Sequence, residues 1–572
     1  MRIARRVILF ALFLALFAVL WMWWNRPIKV DMAAYIPADS IIYLEADSLP
    51  DLLDGITSTD AWRELAPAAG INRRIGEAGW LGRLMSFTGL GSGESVIFSR
   101  AQVAVTIQGF EAAEESDTAL KFSPRAALVV ETHTGEGRTR AAVEKLAGDF
   151  ARRSFGSPSV ERKEVDGVRF VTWAAPTGSR RKIVTAVTES MAVIGNDEAT
   201  VRACLEVRRG ARPSLAGNEQ LKEMRARLGG EGALAFGFAQ TGSAAKMVEV
   251  FAPLFVSGVS DKSEVQGFLA TFLPHLASQL IGSAGWSARV VKGSVEDHYF
   301  LTLPEGMPAR LAEPFAAAGG QASAAPAVFP RDVYQVSHYH FRDPEAAWRG
   351  LNAVISSQVD AYRASIISLT LEALVKSYGI EKPREFLRAA GPDVLTAWLD
   401  ATSENKVLVV AVRDREALRR QVGELLGRAA RTERIGGEEL MVSSDADRGA
   451  ASFVGDFLLV GDEADVGRCL TSRLANREAS GEGSLTGMAE SFFNEPSFVT
   501  TRTRDAVPAR TVISFFGGAR GGTSVREAFE KALARHSLSV GETRLALDGF
   551  EKKTRSAFGQ FGAIGALLAP ER

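Results

Sequence analysis

Residues 197–205 read DEATVRACL and residues 462–470 read DEADVGRCL, so six of the nine positions are identical. The two segments contain the only two cysteines of the chain, Cys204 and Cys469. Each segment follows a short apolar run that ends in a glycine, which is typical of a strand that turns into a helix. The recurrence of this unit indicates an internal duplication.

The elements upstream of these segments recur in the same order. Residues 127–130 (ALVV) correspond to residues 407–410 (VLVV), and each run is followed by a helix with one apolar face. Hairpin signals follow at Asp166-Gly167 and at Gly436-Gly437. Short strands joined by hairpins and interrupted by helices predict an α+β fold with mostly antiparallel sheets.

Two related domains are therefore expected. The first repeat spans residues 33–313, and the second spans residues 328–572 and ends in a helical tail. Residues 314–327 are rich in Ala, Gly and Ser and are predicted to be the linker between them.

The two repeats are expected to differ at their ends. The first closes with two strands at 284–291 and 299–303. The second closes with a helix at 525–536 and a Gly-rich tail ending at Ala569.

The N-terminal residues predict a membrane anchor. Arg2, Arg5 and Arg6 precede an apolar run at 7–24, which as a helix is about 27 Å long. The positive-inside rule makes residues 1–6 a cytoplasmic stub. The expectation is a single-pass cell-membrane protein with an uncleaved signal anchor and a periplasmic or otherwise extracytoplasmic bulk. A cleaved signal peptide and a buried soluble helix remain open as alternatives.

A family resemblance rests on several of these segments. Residues 36–40 (IPADS) lead into a strand, residues 49–53 (LPDLL) begin a helix, and the strand–Gly–DEATVRACL unit follows. Together they resemble a bacterial family of anchored extracytoplasmic proteins catalogued as domain of unknown function 3352. The resemblance covers roughly residues 33–305 and extends more loosely to the second half. It implies an extracytoplasmic location and a repeated fold, and it supplies no catalytic residues.

Composition excludes several classes of function. The chain has 67 basic and 68 acidic residues, so it lacks the net positive charge that would attract nucleic acid. No nucleic-acid partner is expected. Two cysteines in 572 residues exclude a disulfide-built scaffold and a four-cysteine zinc module. No cofactor is expected.

One histidine pair is the best candidate for a metal site. His338 and His340 share a face if they lie on a strand, and Asp343 and Glu345 follow them. The first repeat has Leu44-Glu45-Ala46 at the matching place, and a polar outer face on an edge strand also explains the pair. No metal site is assigned from the sequence, and His338 and His340 remain candidates only.

Other motifs have ordinary explanations. The Gly-rich segments 89–93 and 517–524 lack the lysine of a phosphate-binding loop. Cys204 and Cys469 lie in apolar helix stripes, so both are expected to be buried thiols rather than nucleophiles. Whether they form a disulfide is left open. The segment Met247–Ile281 predicts two amphipathic helices, which either cover the first repeat's sheet or form a groove for a lipid or a partner helix.

These observations predict a non-enzymatic envelope protein that acts in binding, scaffolding or assembly. The expected partners are the membrane, through the N-terminal helix, and an envelope protein or lipid. One alternative is a carrier or chaperone for an apolar ligand or lipid. The other is a metal-dependent hydrolase built around His338 and His340.

Overall fold

The structure is a computed structural model. It describes residues 29–71, 97–98, 100–116, 119–176, 181–229, 232–243, 245–246, 274, 277–318, 328–357, 368, 380, 382–401, 406–427, 429–445, 448–478, 492–515 and 523–568.

The described residues form twenty strands. They are β1 Ile42–Ala46, β2 Gln102–Ser116, β3 Ala119–Glu131, β4 Ser159–Val165, β5 Val168–Ala174, β6 Lys182–Thr188, β7 Met191–Gly195, β8 Ala235–Ala239, β9 Ala284–Val291, β10 Ser294–Thr302, β11 Gln335–His340, β12 Ala390–Trp398, β13 Val407–Val412, β14 Arg431–Ile435, β15 Glu438–Val442, β16 Ala450–Val454, β17 Phe457–Gly461, β18 Val499–Arg504, β19 Leu538–Ala546 and β20 Gly549–Ser556.

Helices connect many of these strands. The α-helices are α1 Leu49–Thr57, α2 Asp60–Ala68, α3 Glu136–Phe155, α4 Glu198–Arg208, α5 Glu219–Leu228, α6 Met307–Ala312, α7 Pro344–Ser357, α8 Pro383–Ala389, α9 Arg415–Leu426, α10 Glu463–Glu478, α11 Val507–Phe515, α12 Thr523–Arg535 and α13 Phe561–Leu568. Two short 3₁₀ helices lie at Met32–Tyr35 and Leu215–Gly217.

All twenty strands belong to one sheet, and each described strand pairing is antiparallel. From one edge to the middle, the strand order is β4-β5-β6-β7-β3-β2-β1-β8-β9-β10. From the other edge to the middle, it is β14-β15-β16-β17-β13-β12-β11-β18-β19-β20. The second order is the first with ten added to each strand number, so the two halves share one topology.

The halves meet where β10 pairs with β20, and we call this pairing the seam. It runs from Val295 opposite Ser556 to Thr302 opposite Gly549. Because β10 and β20 are equivalent strands that pair antiparallel, the two halves are related by an approximate two-fold axis through the seam.

This architecture corrects the predicted fold class. A transmembrane helix followed by two related α+β domains is wrong. No helix in the described residues can cross a membrane, and the seam continues the hydrogen-bonded ladder from one repeat into the other, so the described strands form one sheet. Strands β1–β10 lie within residues 33–313, and strands β11–β20 lie within residues 328–572.

The predicted difference between the ends of the repeats is also wrong. The first repeat closes with β9 and β10 as expected, but the second closes with the equivalent hairpin β19–β20. The predicted helix near residues 525–536 is α12, and it precedes this hairpin.

The membrane predictions are contradicted as well. In the part of the chain that the structure describes, no helix combines the length and apolar character needed to cross a bilayer. The longest described helix, α3, has 20 residues but carries charged side chains along its length. This finding contradicts the predicted signal anchor, the single-pass topology and the periplasmic location. Residues 1–6 and 7–24, on which they rested, lie outside the described residues.

Consecutive strand residues face opposite sides of the sheet and enter different cores. Val129 packs with Cys204 of α4, whereas Val130 packs with Val143 of α3. The second repeat follows the same rule, because Val409 packs in the core that contains Cys469, and its neighbour Val410 does not. The side that carries Cys204 and Cys469 is called face A.

Local signals explain the shared elements. Asp197 caps α4, with its carboxylate accepting a hydrogen bond from the Thr200 N–H at 3.0 Å. The β4–β5 turn has φ of 51° at Asp166 and 74° at Gly167, and the β14–β15 turn has positive φ at both Gly436 and Gly437. These are the backbone angles of the tight hairpin that the sequence predicted.

Candidate functional site

The register of β11 and β12 brings three potential metal ligands together on face A. His340 lies directly opposite Asp393, and His338 lies opposite Leu395, two residues further along β12. Side chains two residues apart on a strand share a face, so Asp393 is the diagonal neighbour of His338. We call His338, His340 and Asp393 the histidine cluster.

The cluster converges on a single carboxylate oxygen. Asp393 Oδ1 lies 2.7 Å from His338 Nε2 and 2.6 Å from His340 Nδ1. The three potential ligand atoms all lie within 4.8 Å of one another, and the two ring centroids are 5.4 Å apart. The side chains are half-buried, with exposed fractions of 21%, 23% and 15% for His338, His340 and Asp393.

The environment shifts the pKa values of two members of the cluster, Asp393 and His340. Burial raises the pKa of the Asp393 carboxyl, but the hydrogen bonds from His338 and His340 more than offset burial and hold this pKa well below its usual range. The hydrogen bond to Asp393 raises the pKa of His340 despite burial, and a hydrogen bond with the backbone of Ala318 adds to this effect.

The segment at residues 316–318 fixes the end of β11. The Ala318 N–H donates to the His340 carbonyl at 3.1 Å, and the Arg342 N–H donates to the Ala316 carbonyl at 2.8 Å. The His340 N–H donates to the Phe498 carbonyl at 2.8 Å. His340 is therefore held at its backbone from both sides. Residues 319–327 of the predicted linker lie outside the described residues.

The two acidic residues that follow the histidines in sequence have other roles. Asp343 Oδ1 accepts a hydrogen bond from the Glu345 N–H at 3.0 Å, next to the start of α7. Glu345 pairs with Arg388 at 3.0 Å, and this pairing lowers the pKa of the Glu345 carboxyl. Asp393, rather than Asp343 or Glu345, is therefore the acidic partner of the two histidines.

At the matching place in the first repeat, an arginine binds the carboxylate on face A. Tyr43 and Glu45 of β1 are the residues on face A, which corrects the sequence alignment of Leu44 and Ala46 with the two histidines. Arg225 of α5 binds both Glu45 oxygens, with Nε–Oε1 and Nη2–Oε2 distances of 2.9 and 2.7 Å. Its Nη2 also lies 2.9 Å from Asp31 Oδ1. A guanidinium therefore supplies the positive charge at this position.

The other described histidines each meet a single carboxylate. His275 lies outside the described residues. The partners of His133, His298 and His536 are Glu131, Glu551 and Glu64, respectively.

The two cysteines are buried, as the sequence predicted, and both are free thiols, which settles the open question of a disulfide. Cys204 and Cys469 are both 0% exposed. Burial raises the pKa of each thiol to about 12. Neither is a thiolate near neutral pH, so neither is an activated nucleophile.

A buried carboxyl group that the sequence did not indicate lies at the seam, on the side opposite face A. Asp297 is 1% exposed. Its Oδ1 accepts hydrogen bonds from Trp286 Nε1 at 2.9 Å and from the Gln560 N–H at 3.3 Å. Burial raises the pKa of this carboxyl to about 6, although these hydrogen bonds lower it.

Several sequence motifs fall outside the described residues. These are the Gly-rich segment 89–93, residues 517–522 of the second Gly-rich segment, and residues 247–273 and 275–276 of the predicted groove.

Comparisons of the chain with protein-family models, with curated proteins and with solved structures find no match. The resemblance to the domain-of-unknown-function 3352 family stays a prediction.

Proposed function

We propose that this chain is a non-enzymatic binding protein and that the histidine cluster of the second repeat is its binding centre. The observation that supports this is the contrast between the repeats. Arg225 occupies the matching place in the first repeat and neutralises Glu45, whereas the second repeat presents two imidazoles around Asp393. Because the two copies of this fold place different polar side chains at the matching position, we infer that the second copy has a specialised site there.

The buried thiols support a binding role over a cysteine-dependent enzyme, because a pKa of about 12 leaves almost no thiolate. The alternative of an apolar carrier depends on residues 247–281, most of which lie outside the described residues, so it stays a prediction. A metal-dependent hydrolase is a second candidate, since three protein ligands leave one position of a tetrahedral site open.

Ligand-dependent thermal stabilisation tests the proposal. The full-length chain is unfolded by heat with a panel of cations, inorganic anions, carboxylic acids and nucleosides. A ligand at 100 times its dissociation constant adds about 2.7 kcal/mol to the free energy of unfolding. We expect at least one ligand to raise the Tm of the wild-type chain and to leave the Tm of His340→Ala unchanged.

His536→Ala is the matched control, because His536 also pairs with one carboxylate and has a similar exposed fraction, 20% against 23% for His340. This variant should keep the ligand-induced rise. If His340→Ala is stabilised as much as the wild-type chain by every active ligand, the binding centre lies elsewhere and the proposal is wrong.

A further inference from the structure

We infer that the ligand of the histidine cluster is a divalent transition-metal ion of the zinc class, held by His338 Nε2, His340 Nδ1 and Asp393 Oδ1. This inference rests on the proposed function, because it identifies the ligand of that same binding centre. Two imidazole nitrogens and one carboxylate oxygen form a donor set that zinc and its neighbours accept. Magnesium and calcium instead prefer sets made of oxygen atoms.

The positions of the three atoms suit such an ion. Metal–ligand distances of about 2.1 Å in a tetrahedral site place the ligand atoms about 3.4 Å apart. Asp393 Oδ1 now lies 2.7 and 2.6 Å from the two ring nitrogens. The carboxylate therefore has to move by less than about 1 Å from each ring to admit an ion, a distance that a side-chain rotation provides.

The position of His340 in the cluster is fixed by its neighbours. Its Nδ1 lies 2.6 Å from Asp393 Oδ1. The main-chain contacts of His340 with Ala318 and Phe498 hold the strand end itself in place.

Comparison with the first repeat explains why an ion fits at this place. Glu45 is a largely buried carboxylate on face A, and the guanidinium of Arg225 balances its charge. The second repeat also has a carboxylate on face A, Asp393, but its described partners there are imidazoles. A bound divalent ion supplies the positive charge that Arg225 supplies in the first repeat.

Direct metal binding tests the inference. The full-length chain is treated with a chelator, dialysed, and titrated with Zn²⁺ by calorimetry and with Co²⁺ by visible absorption. We expect one equivalent of each ion to bind, with cobalt bands typical of tetrahedral coordination. His338→Ala and His340→Ala should each weaken binding by about 100-fold or more, beyond the 10–100-fold loss seen for outer-shell partners. His536→Ala should bind as the wild-type chain does.

Asp393→Asn provides a variant that keeps the size of the side chain and removes the anionic ligand. It should fold normally by circular dichroism and lose most of the affinity for Co²⁺. Millimolar Mg²⁺ or Ca²⁺ should not displace Co²⁺ from the wild-type chain. Absence of stoichiometric binding, or full binding by both histidine variants, would refute the metal site.

The outcomes separate the metal inference from the proposed function. If no metal binds but another ligand stabilises the wild-type chain and not His340→Ala, the metal inference fails and the binding centre stands. If the zinc-loaded chain hydrolyses a generic ester and Asp393→Asn does not, the metal site stands and the non-enzymatic role is wrong. Binding of one zinc ion without such turnover supports both.

Discussion

His298 Nε2 of β10 lies 2.6 Å from Glu551 Oε1 of β20, so this hydrogen bond joins the two repeats across the seam. Arg544 of β19 binds the other oxygen of Glu551, with an Nη2–Oε2 distance of 2.7 Å. The exposed fractions of the His298 and Glu551 side chains are only 13% and 11%. Ion pairs shielded from water to this degree are costly to break, because the remaining charge stays buried. The seam thus combines a main-chain ladder with a side-chain hydrogen bond between the two repeats.

Removing the Glu551 charge should weaken the fold in a pH-dependent way. Burial raises the pKa of this carboxyl, but hydrogen bonds from His298 and Arg544 outweigh burial and lower the pKa to about 2. A lowered folded-state pKa stabilises the fold above the unfolded-state value of about 4.5, and this contribution is lost as pH falls towards 2. We expect Glu551→Gln to lower the free energy of unfolding by about 3 kcal/mol at pH 7. Urea denaturation at pH 7 and pH 3 measures the change, which should be smaller at pH 3.

Glu495 offers a matched control on the same arginine. It lies 2.7 Å from Arg544 Nη1, but its side chain is 74% exposed. Glu495→Gln should change the free energy of unfolding by less than about 1 kcal/mol. Equal losses for the two variants would show that burial at the seam does not strengthen the Glu551 contact.

Asp297 predicts the opposite dependence on pH. Burial raises the pKa of this carboxyl from 3.8 to about 6. Because the folded chain binds the proton more tightly, the wild-type fold loses stability as pH rises from about 4 to about 6. Asp297→Asn does not titrate, and its Oδ1 can still accept the hydrogen bond from Trp286. Relative to the wild-type chain, the variant should gain about 3 kcal/mol in the free energy of unfolding between pH 4 and pH 7.

The measurement for Asp297 is urea denaturation of both chains at pH 4, 5, 6 and 7. The difference in the free energy of unfolding between the two chains isolates Asp297, since the contributions of the other titrating groups cancel. A difference that stays constant over this range would show that Asp297 titrates normally in the fold.

The sequence predicted the duplication but not the joining of the repeats into one sheet. The matching segments around Cys204 and Cys469 carry apolar side chains at the same spacing, so equivalent helices were visible. The hairpin β19–β20 was missed because its residues are mostly half-buried and polar, without the apolar alternation that indicates a strand. Since β20 forms half of the seam, missing this hairpin hid the contact between the repeats.

The candidate site was visible only in part for a related reason. His338 and His340 are two residues apart, and the sequence alone places them on one face of a strand. Asp393 is 53 residues from His340, and only the pairing register of β11 with β12 brings it opposite. A shift of that register by one residue would turn Asp393 to the other side of the sheet. No local sequence pattern predicts which residues of the two strands pair.

Both thiols should be inaccessible in the folded chain. Cys204 and Cys469 are buried, and the pKa of each is raised to about 12 by burial. We expect no reaction with a thiol reagent at pH 8, and two modified thiols per chain after denaturation without a reductant. Ser58→Cys adds a thiol at an exposed position and should react at once with one equivalent. A need for reductant before denatured chains react would contradict the free thiols.

The two glycines that precede the cysteine helices should tolerate alanine differently. A Cβ at Gly195 would lie 2.7 Å from Val201 Cγ2 and 3.0 Å from the Ala126 carbonyl oxygen, whereas a Cβ at Gly461 would lie 3.2 Å from the Lys406 oxygen, its nearest neighbour. The branched side chain of Val201 is held in the core by α4, so it has little room to move. Gly195→Ala should therefore lower the free energy of unfolding by about 1–3 kcal/mol through overpacking.

Gly461→Ala is the matched control for this prediction, because it changes the same residue at the equivalent strand end of the second repeat. Its wider clearance should limit the loss to less than about 1 kcal/mol. Urea denaturation of the two variants and the wild-type chain gives both values. If Gly461→Ala is as destabilising as Gly195→Ala, the cost arises from the loss of glycine at a strand end. It would then not depend on the contact with Val201.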